Sequence, residues 1–222
     1  MAEPRTLRLA HRGDHRLYPE NSLAALLAAM DIPGCDGLEF DVRAAADGVP
    51  VIVHDHTLER VHGHVGAVAD LTADDLEGHG VARLDLVLAS VPRRAFLDVE
   101  IKESFGRELV EVLAAGRGPD LHGAVVSSFD VDAIARLRGL VPAWPTWLAA
   151  HDLGASTIGL AVELGCVGVS VEAPAIGPRN VAAARAVGLE VAAWTVTRRS
   201  AFRRLAGLGL AAICVEGEAL TG

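Results

Sequence analysis

The chain carries the sequence GLEFDV at residues 37–42, in which apolar and acidic residues alternate. Successive side chains of a β-strand point to opposite faces, so Glu39 and Asp41 share one face and the apolar residues take the other. We expect the apolar face to pack against helices, which turns both carboxylates toward the inside of a sheet or barrel. The same alternation returns later at Glu100 and Lys102.

Strand-like runs of this kind recur along the chain and are separated by Ala- and Leu-rich helical patterns. The predicted strands are residues 7–11, 37–42, 95–102, 124–128, 146–149, 167–172, 190–196 and 211–216. The predicted helices are residues 22–30, 107–115, 131–140, 156–164, 178–187 and 200–206. Strands that alternate with helices indicate parallel βαβ units. Eight such strands in 222 residues fit an α/β fold of the (β/α)8 TIM-barrel type.

A doubly wound open sheet is the alternative architecture. Such a sheet usually has a Gly-rich phosphate loop after its first strand, and the sequence HRGD at residues 11–14 is not such a loop. We therefore predict a single TIM-barrel domain over residues 1–222. Residues 50–94 interrupt the alternation, with a strand-like run at 51–54 and a short helix at 72–76. We interpret them as a small insertion after the second strand, too short for a core of its own.

Composition and charge exclude several classes of partner. The formal net charge is −9, which argues against binding to a nucleic-acid backbone and against a polybasic membrane patch. Residues 1–6 contain no apolar signal core, and no apolar stretch reaches membrane-spanning length. Three cysteines without a C-x-x-C motif do not indicate a disulfide scaffold. We expect a cytoplasmic protein without a stable membrane anchor, and the sequence carries no signal for an oligomeric state.

Three carboxylates fall at predicted strand ends, namely Glu39, Asp41 and Glu100. A carboxylate inside a barrel is costly unless it is paired or bound to a metal. Together the three would form an oxygen-rich site for a hard divalent cation. The alternative is an internal ion pair of Lys102 with Glu100 or Glu39.

Two histidines, His11 and His54, each end an apolar run. Histidine exchanges protons near neutral pH, so a pair on opposite sides of a phosphate could act as acid and base. The alternative for either one is a hydrogen-bonded structural histidine. Arg12 would lie just beyond the first strand, where its guanidinium could bind a phosphate or form a salt bridge with Asp14 or Glu20.

The order and spacing of these motifs resemble the glycerophosphodiester phosphodiesterase family. The motifs are HRG at 11–13, PENS at 19–22, EFD at 39–41, DG at 47–48, HD at 54–55 and EIK at 100–102, followed by SSF at 127–129 and WTV at 194–196. The resemblance covers nearly the whole chain. It implies a TIM barrel that hydrolyses a small-molecule glycerophosphodiester to sn-glycerol 3-phosphate and an alcohol.

The resemblance also implies roles for individual residues. Glu39, Asp41 and Glu100 would hold one divalent metal ion, Mg²⁺ or Ca²⁺, and His11 and His54 would be the acid/base pair. The predicted substrate-binding residues are Arg12 and Lys102 at the phosphate and Trp194 on the glycerol side. Glu20 and Asn21 belong to the signature and are possible further site residues. Core packing is the alternative role for Trp194.

The last predicted strand departs from the family pattern. It ends in ICVEG at residues 213–217, where the family commonly has Ile-Thr-Asp. Glu216 would therefore alter the rim of the pocket.

Two other functions remain as alternatives. One is a phospholipase-type phosphodiesterase that acts on lysolipid, and the other is a non-catalytic barrel that binds phosphorylated ligands. The complete set of charged residues favours an enzyme over a binder, because a binder needs no acid/base pair.

Overall fold

The computed structural model describes residues 5–222, in which eight parallel strands close into a barrel. The barrel strands are β1 (Leu7–His11), β2 (Gly37–Ala44), β5 (Phe96–Ile101), β6 (Ala124–Ser128), β7 (Thr146–Ala150), β8 (Gly168–Glu172), β9 (Glu190–Val196) and β10 (Ala212–Val215). Two short strands, β3 (Pro50–Ile52) and β4 (Ala82–Arg83), lie outside the barrel. β1 pairs in parallel with both β2 and β10, and these pairings close the barrel. The predicted TIM barrel is confirmed.

Helices surround the barrel. They are α1 (Leu23–Met30), α2 (Glu59–His62), α3 (Ala73–Gly78), α4 (Leu84–Ser90), α5 (Arg107–Arg117), α6 (Val131–Leu140), α7 (Ala155–Glu163), α8 (Pro178–Ala186), α9 (Arg199–Ala206) and α10 (Gly217–Leu220), with 3-10 turns at Val68–Asp70 and Ala173–Ala175. One helix follows each barrel strand, and α2 and α3 belong to the insertion. Among residues 5–222, no helix combines the length and the apolar character needed to cross a membrane.

The main apolar core lies between the outer face of the barrel and this helical layer. It includes Phe40 of β2 and Leu97 of β5, both fully buried. Helix ends are set by local capping: the Ser22 hydroxyl accepts a hydrogen bond from the Ala25 amide at the start of α1. A smaller cluster, including Leu9 and Trp147, fills the inside of the barrel.

The inserted segment differs from the sequence-based expectation in two ways. First, α4 was not predicted, and its residues Leu84, Val87 and Leu88 pack in the main core. The segment outside the barrel layer is therefore residues 50–83 rather than 50–94. Second, the segment has a small apolar core of its own. Its buried members are Ala45, Val51, Val53, Leu58, Val68, Ala73, Leu76 and Val81.

That second core forms because β2 extends beyond the barrel. β2 continues to Ala44 and pairs with β3 in antiparallel fashion, and β3 pairs with β4 in the same way. This short sheet supplies one wall of the cluster, and α3, capped by Thr72 and Asp75, supplies buried Leu76. The insertion is thereby held at the C-terminal end of β2, where the acidic residues lie.

Candidate active site

Strand register brings the predicted site residues together. His11 of β1 lies beside Glu39 of β2, and Asp41 of β2 lies beside Glu100 of β5. These positions are at the C-terminal ends of the strands, where a cavity of about 350 Å³ opens. The predicted residues that line it are His11, Arg12, Glu39, His54, Glu100, Lys102 and Trp194. Active sites of TIM barrels lie at this end.

Glu39, Asp41 and Glu100 form a compact acidic cluster. One carboxylate oxygen from each lies within 4.8 Å of those of the other two. Burial raises the pKa of Glu39 well above its ordinary value, and the charges of Asp41 and Glu100 raise it further. Glu39 Oε1 is buried and has no hydrogen-bond partner among the described residues. An oxygen left without a partner beside two other carboxylates fits a divalent cation.

Two cations approach the same cluster. Lys102 Nζ lies 2.7 Å from Asp41 Oδ1 and also contacts Glu100, and Arg12 Nε lies 3.0 Å from Asp41 Oδ2. Burial alone would raise the pKa of Asp41, but Lys102 and Arg12 outweigh it and lower the pKa to about 2. Part of the ion-pair alternative is thus present. However, neither cation forms a side-chain ion pair with Glu39, so that carboxyl group could still bind a metal ion.

The sharp turn after β1 places Arg12 and Asn21. Both residues have positive φ, 57° and 59°, which is uncommon for residues other than glycine. Gly13 follows at φ 83°, and a Cβ there would lie 2.5 Å from the carbonyl carbon of Ala25 in α1, so only glycine fits. Asn21 Nδ2 donates to Asp41 Oδ2 at 2.7 Å. The signature residue Asn21 therefore holds a predicted metal ligand.

His11 is held by Glu216, which was predicted only to alter the rim of the pocket. His11 Nδ1 lies 2.5 Å from Glu216 Oε1, and His11 Nε2 lies 3.7 Å from Glu39 Oε2. An ionised carboxylate can only accept, so Nδ1 donates and Nε2 faces the acidic cluster. The hydrogen bond from His11 lowers the pKa of Glu216. Glu216 thus contacts a predicted acid/base residue directly.

His54 has an equivalent arrangement on the other side of the cavity. It follows β3, and its Nδ1 lies 2.7 Å from Asp55 Oδ1. Hydrogen bonding from Arg60 is the main reason that the pKa of Asp55 is lowered. Both predicted acid/base residues therefore line the cavity and have Nδ1 held by a carboxylate, which leaves Nε2 available for proton transfer.

An aromatic cluster forms another part of the cavity wall. The ring centroids of Phe129 and His151 lie 5.4 Å and 5.8 Å from that of Trp194. The Trp194 indole donates to the Ser170 carbonyl at 3.1 Å, which fixes the ring. His151 Nδ1 in turn lies 2.7 Å from Glu172 Oε1. Phe129 belongs to the SSF motif at 127–129 but was given no site role, and His151, two residues beyond the predicted strand 146–149, was not predicted.

Asp98 also lines the cavity and was not predicted as a site residue. It is buried below Glu100 on the inner face of β5, and Ser127 Oγ donates to it at 2.6 Å. Burial raises the pKa of Asp98 to about 7. The alternation in FLDVEI at 96–101 puts Asp98 and Glu100 on one face, so this pattern could have identified it.

The fold and these contacts define a TIM barrel whose strand ends present an acidic cluster and two histidines in one cavity. The model of the glycerophosphoryl diester phosphodiesterase family matches residues 11–96 and 96–217. The chain belongs to this family.

Named relatives agree with this assignment. A probable glycerophosphodiester phosphodiesterase 1 of Mycobacterium tuberculosis is 30% identical, covering 85% of this chain and 81% of that protein. A glycerophosphodiester phosphodiesterase of Caldanaerobacter subterraneus is 42% identical over 73 residues, which span 33% of this chain and 30% of that protein.

Solved structures show the same architecture. A phosphodiesterase of Oleispira antarctica in complex with the product sn-glycerol-3-phosphate superposes with a TM-score of 0.84 and 25% identity, covering 95% of this chain and 93% of that one. A glycerophosphodiester phosphodiesterase of Thermotoga maritima gives a TM-score of 0.82 at 22% identity, over 98% and 96% of the two chains.

Proposed function

We propose that this protein hydrolyses glycerophosphodiesters to sn-glycerol 3-phosphate and an alcohol, with one divalent cation, Mg²⁺ or Ca²⁺, held by Glu39, Asp41 and Glu100. The main support is the cluster of three carboxylates within 4.8 Å of one another, flanked by two histidines. The names of the relatives and the product bound to the Oleispira protein support the same chemistry.

The donor set is made of oxygen atoms, which suits Mg²⁺ or Ca²⁺. Such an ion would withdraw charge from a phosphate oxygen and lower the pKa of a bound hydroxyl group. Arg12 and Lys102 lie against the same carboxylates and add positive charge at the phosphate position. They orient the diester despite the chain's net charge of −9.

The two histidines divide the proton transfers. One histidine, with a neutral ring, accepts a proton at Nε2 from the attacking hydroxyl group. The other, protonated at both ring nitrogens, donates its Nε2 proton to the oxygen that leaves as its bond to phosphorus breaks. Glu216 and Asp55 hold the two Nδ1 atoms during these steps. Trp194 offers its ring to the glycerol moiety, so we expect glycerol to be required and the alcohol to vary.

The direct test is an assay of purified protein with Mg²⁺ or Ca²⁺ on glycerophosphocholine, read by coupled detection of sn-glycerol 3-phosphate. A lysolipid and a simple aryl phosphodiester are run in parallel. We expect product from glycerophosphocholine and a loss of turnover of about 10²-fold or more in His11→Ala and His54→Ala. Equal cleavage of the aryl diester would replace this proposal with a broader phosphodiesterase. Preference for lysolipid would favour the phospholipase-type alternative.

A further inference from the structure

Arg60 lies outside the barrel, on helix α2 of the inserted segment, yet it contacts two acidic residues of the site. Its Nε and Nη2 atoms donate to the carboxylate of Asp55 at 2.5 and 3.1 Å. Its Nη1 and Nη2 atoms donate to the carboxylate of Glu20 at 3.0 and 2.7 Å. The guanidinium thus binds both carboxylates in bidentate fashion, which fixes direction as well as distance.

Each of these carboxylates holds a proposed site residue. Asp55 Oδ1 lies 2.7 Å from His54 Nδ1. Glu20 Oε1 accepts from Arg12 Nη1 at 2.8 Å. A continuous chain of contacts therefore runs from the histidine after β3, through Arg60, to the arginine after β1.

From this chain of contacts we infer that Arg60 is a positioning residue, which fixes His54 through Asp55 and Arg12 through Glu20. The inference rests on the proposed function, because it assigns Arg60 to the same reaction. It makes the insertion part of the site, since α2 supplies the group that connects two separate strand ends.

The position of His54 explains why such a residue is needed. β3 has three residues and lies beyond the barrel, and the His54 side chain is 37% exposed. A histidine at this place is not confined by core packing. Errors of about 1 Å in the placement of a catalytic group can cost about 10²-fold in rate. The bond from His54 Nδ1 to Asp55 also selects the tautomer whose Nε2 lacks a proton.

The exposure of Arg60 indicates that it contributes more to the positions of His54 and Arg12 than to the stability of the fold. Its side chain is 51% exposed, and exposed ion pairs contribute little to the stability of a fold. Removing it should therefore leave the fold intact. Arg83 provides a matched control, because it lies in the same insertion. Its guanidinium group donates hydrogen bonds to Asp85, and neither residue lines the cavity.

The experiment compares Arg60→Gln, Arg60→Lys and Arg83→Gln with the unmodified protein on glycerophosphocholine. We expect Arg60→Gln to lower kcat about tenfold or more and to raise KM, because His54 and Arg12 are both released. Arg60→Lys should recover little, since an ammonium cannot bind two carboxylates in bidentate fashion. Arg83→Gln should match the unmodified enzyme. Unchanged kcat and KM in Arg60→Gln, or an equal loss in Arg83→Gln, would overturn the inference.

A double variant separates placement from a general structural effect. In the His54→Ala background, Arg60→Gln should cost little further kcat, because its action through His54 has already been lost, while the rise in KM should persist. Losses in kcat that simply multiply would contradict a role through His54. If Arg60→Gln does not fold, Asp55→Asn, which breaks the link next to His54, takes its place in the comparisons of kcat.

An NMR measurement of the His54 tautomer tests the role of Arg60 without any substrate. Long-range ¹H–¹⁵N correlation spectra report which ring nitrogen of His54 carries the proton. We expect the Nδ1–H tautomer in the unmodified protein and a mixture in Arg60→Gln. An unmodified protein that cleaves no diester but shows this change rejects the proposed function and keeps the positioning role. The same tautomer in both proteins rejects the role itself.

Discussion

At the scale of single residues, the two histidines depend on acidic neighbours that the motif pattern did not assign to them. Glu216 directly follows β10, 205 positions after His11. Nothing local marks such a contact, because the closure of the barrel brings β10 next to β1. The motif residues themselves could be predicted, since alternation along β2 and β5 fixes which side chains point inward.

Glu216 gives the first prediction at this scale. Glu216→Gln removes the charge that holds His11 Nδ1 at 2.5 Å and would stabilise a protonated ring. We expect kcat to fall about tenfold or more with little change in KM, because the substrate's contacts remain. Steady-state kinetics measure both constants. Glu218→Gln, an exposed position two residues further on, is the control. A change in KM alone would place Glu216 in substrate binding instead.

Trp194 gives the second prediction. Its ring faces the cavity and its indole is fixed by the Ser170 carbonyl. If the ring stacks on bound glycerol in ground and transition states alike, Trp194→Ala should raise KM for glycerophosphodiesters more than it lowers kcat. Trp194→Phe keeps an aromatic face and should restore most of the affinity. A loss confined to kcat would show that Trp194 serves the chemical step.

At the scale of elements, the regular parts of the barrel were predictable and its irregular parts were not. Strands β6 and β9 and helix α6 have the predicted bounds, because their apolar periodicity is long and their ends carry turn or cap residues such as Asp130. Helix α4 was missed because Arg83 at its start makes no side-chain cap and the helix has only seven residues. The core of the insertion was missed because its members are scattered from Ala45 to Val81 and meet only after the β2–β3 hairpin forms.

The docking of the insertion should depend on pH, which is the third prediction. Burial would raise the pKa of Glu20, but hydrogen bonds from Arg60 and the charge of Arg12 lower it from 4.5 to about 2. The pKa of Asp55 is lowered as well. A carboxyl group with a depressed pKa stabilises the folded state above its unfolded-state pKa, and this contribution is lost as the pH falls through the folded value. The contacts of Arg60 are therefore intact at neutral pH and weaken between about pH 4.5 and 2.

Amide NMR signals recorded from pH 7 to pH 2 test this prediction. We expect signals of the insertion to shift first, while those of the barrel strands stay in place. In Arg60→Gln the insertion signals should shift less over the same range, because the pairing that depends on pH is absent. If insertion and barrel signals change together, the acid transition is global and the docking contacts do not govern it.

At the scale of the whole molecule, an acidic protein must bind an anionic substrate. The net charge of −9 repels a phosphodiester at long range. The site counters this with Arg12 and Lys102, but both are engaged by carboxylates of the same site. Without a further cation, the cluster of Glu39, Asp41 and Glu100 would repel the phosphate. From this charge balance we expect the proposed metal ion to contribute to substrate binding as well as to chemistry.

The last prediction follows from this balance. The pKa of Glu39 is raised well above 4.5, by burial first and then by the charges of Asp41 and Glu100. Metal ligands must be deprotonated, so binding of Mg²⁺ or Ca²⁺ should release a proton. The apparent affinity should fall about tenfold per pH unit below the pKa of Glu39, for one displaced proton. Calorimetric titrations in two buffers of different ionisation enthalpy count that proton. Glu39→Gln should bind the metal ion more weakly, release no proton and show a flatter pH dependence.

Exhaustive chelation should abolish turnover, and returning the ion should restore turnover and raise the melting temperature by mass action. Full activity after chelation would remove the metal from the mechanism, and unchanged affinity in Glu39→Gln would place the ion elsewhere.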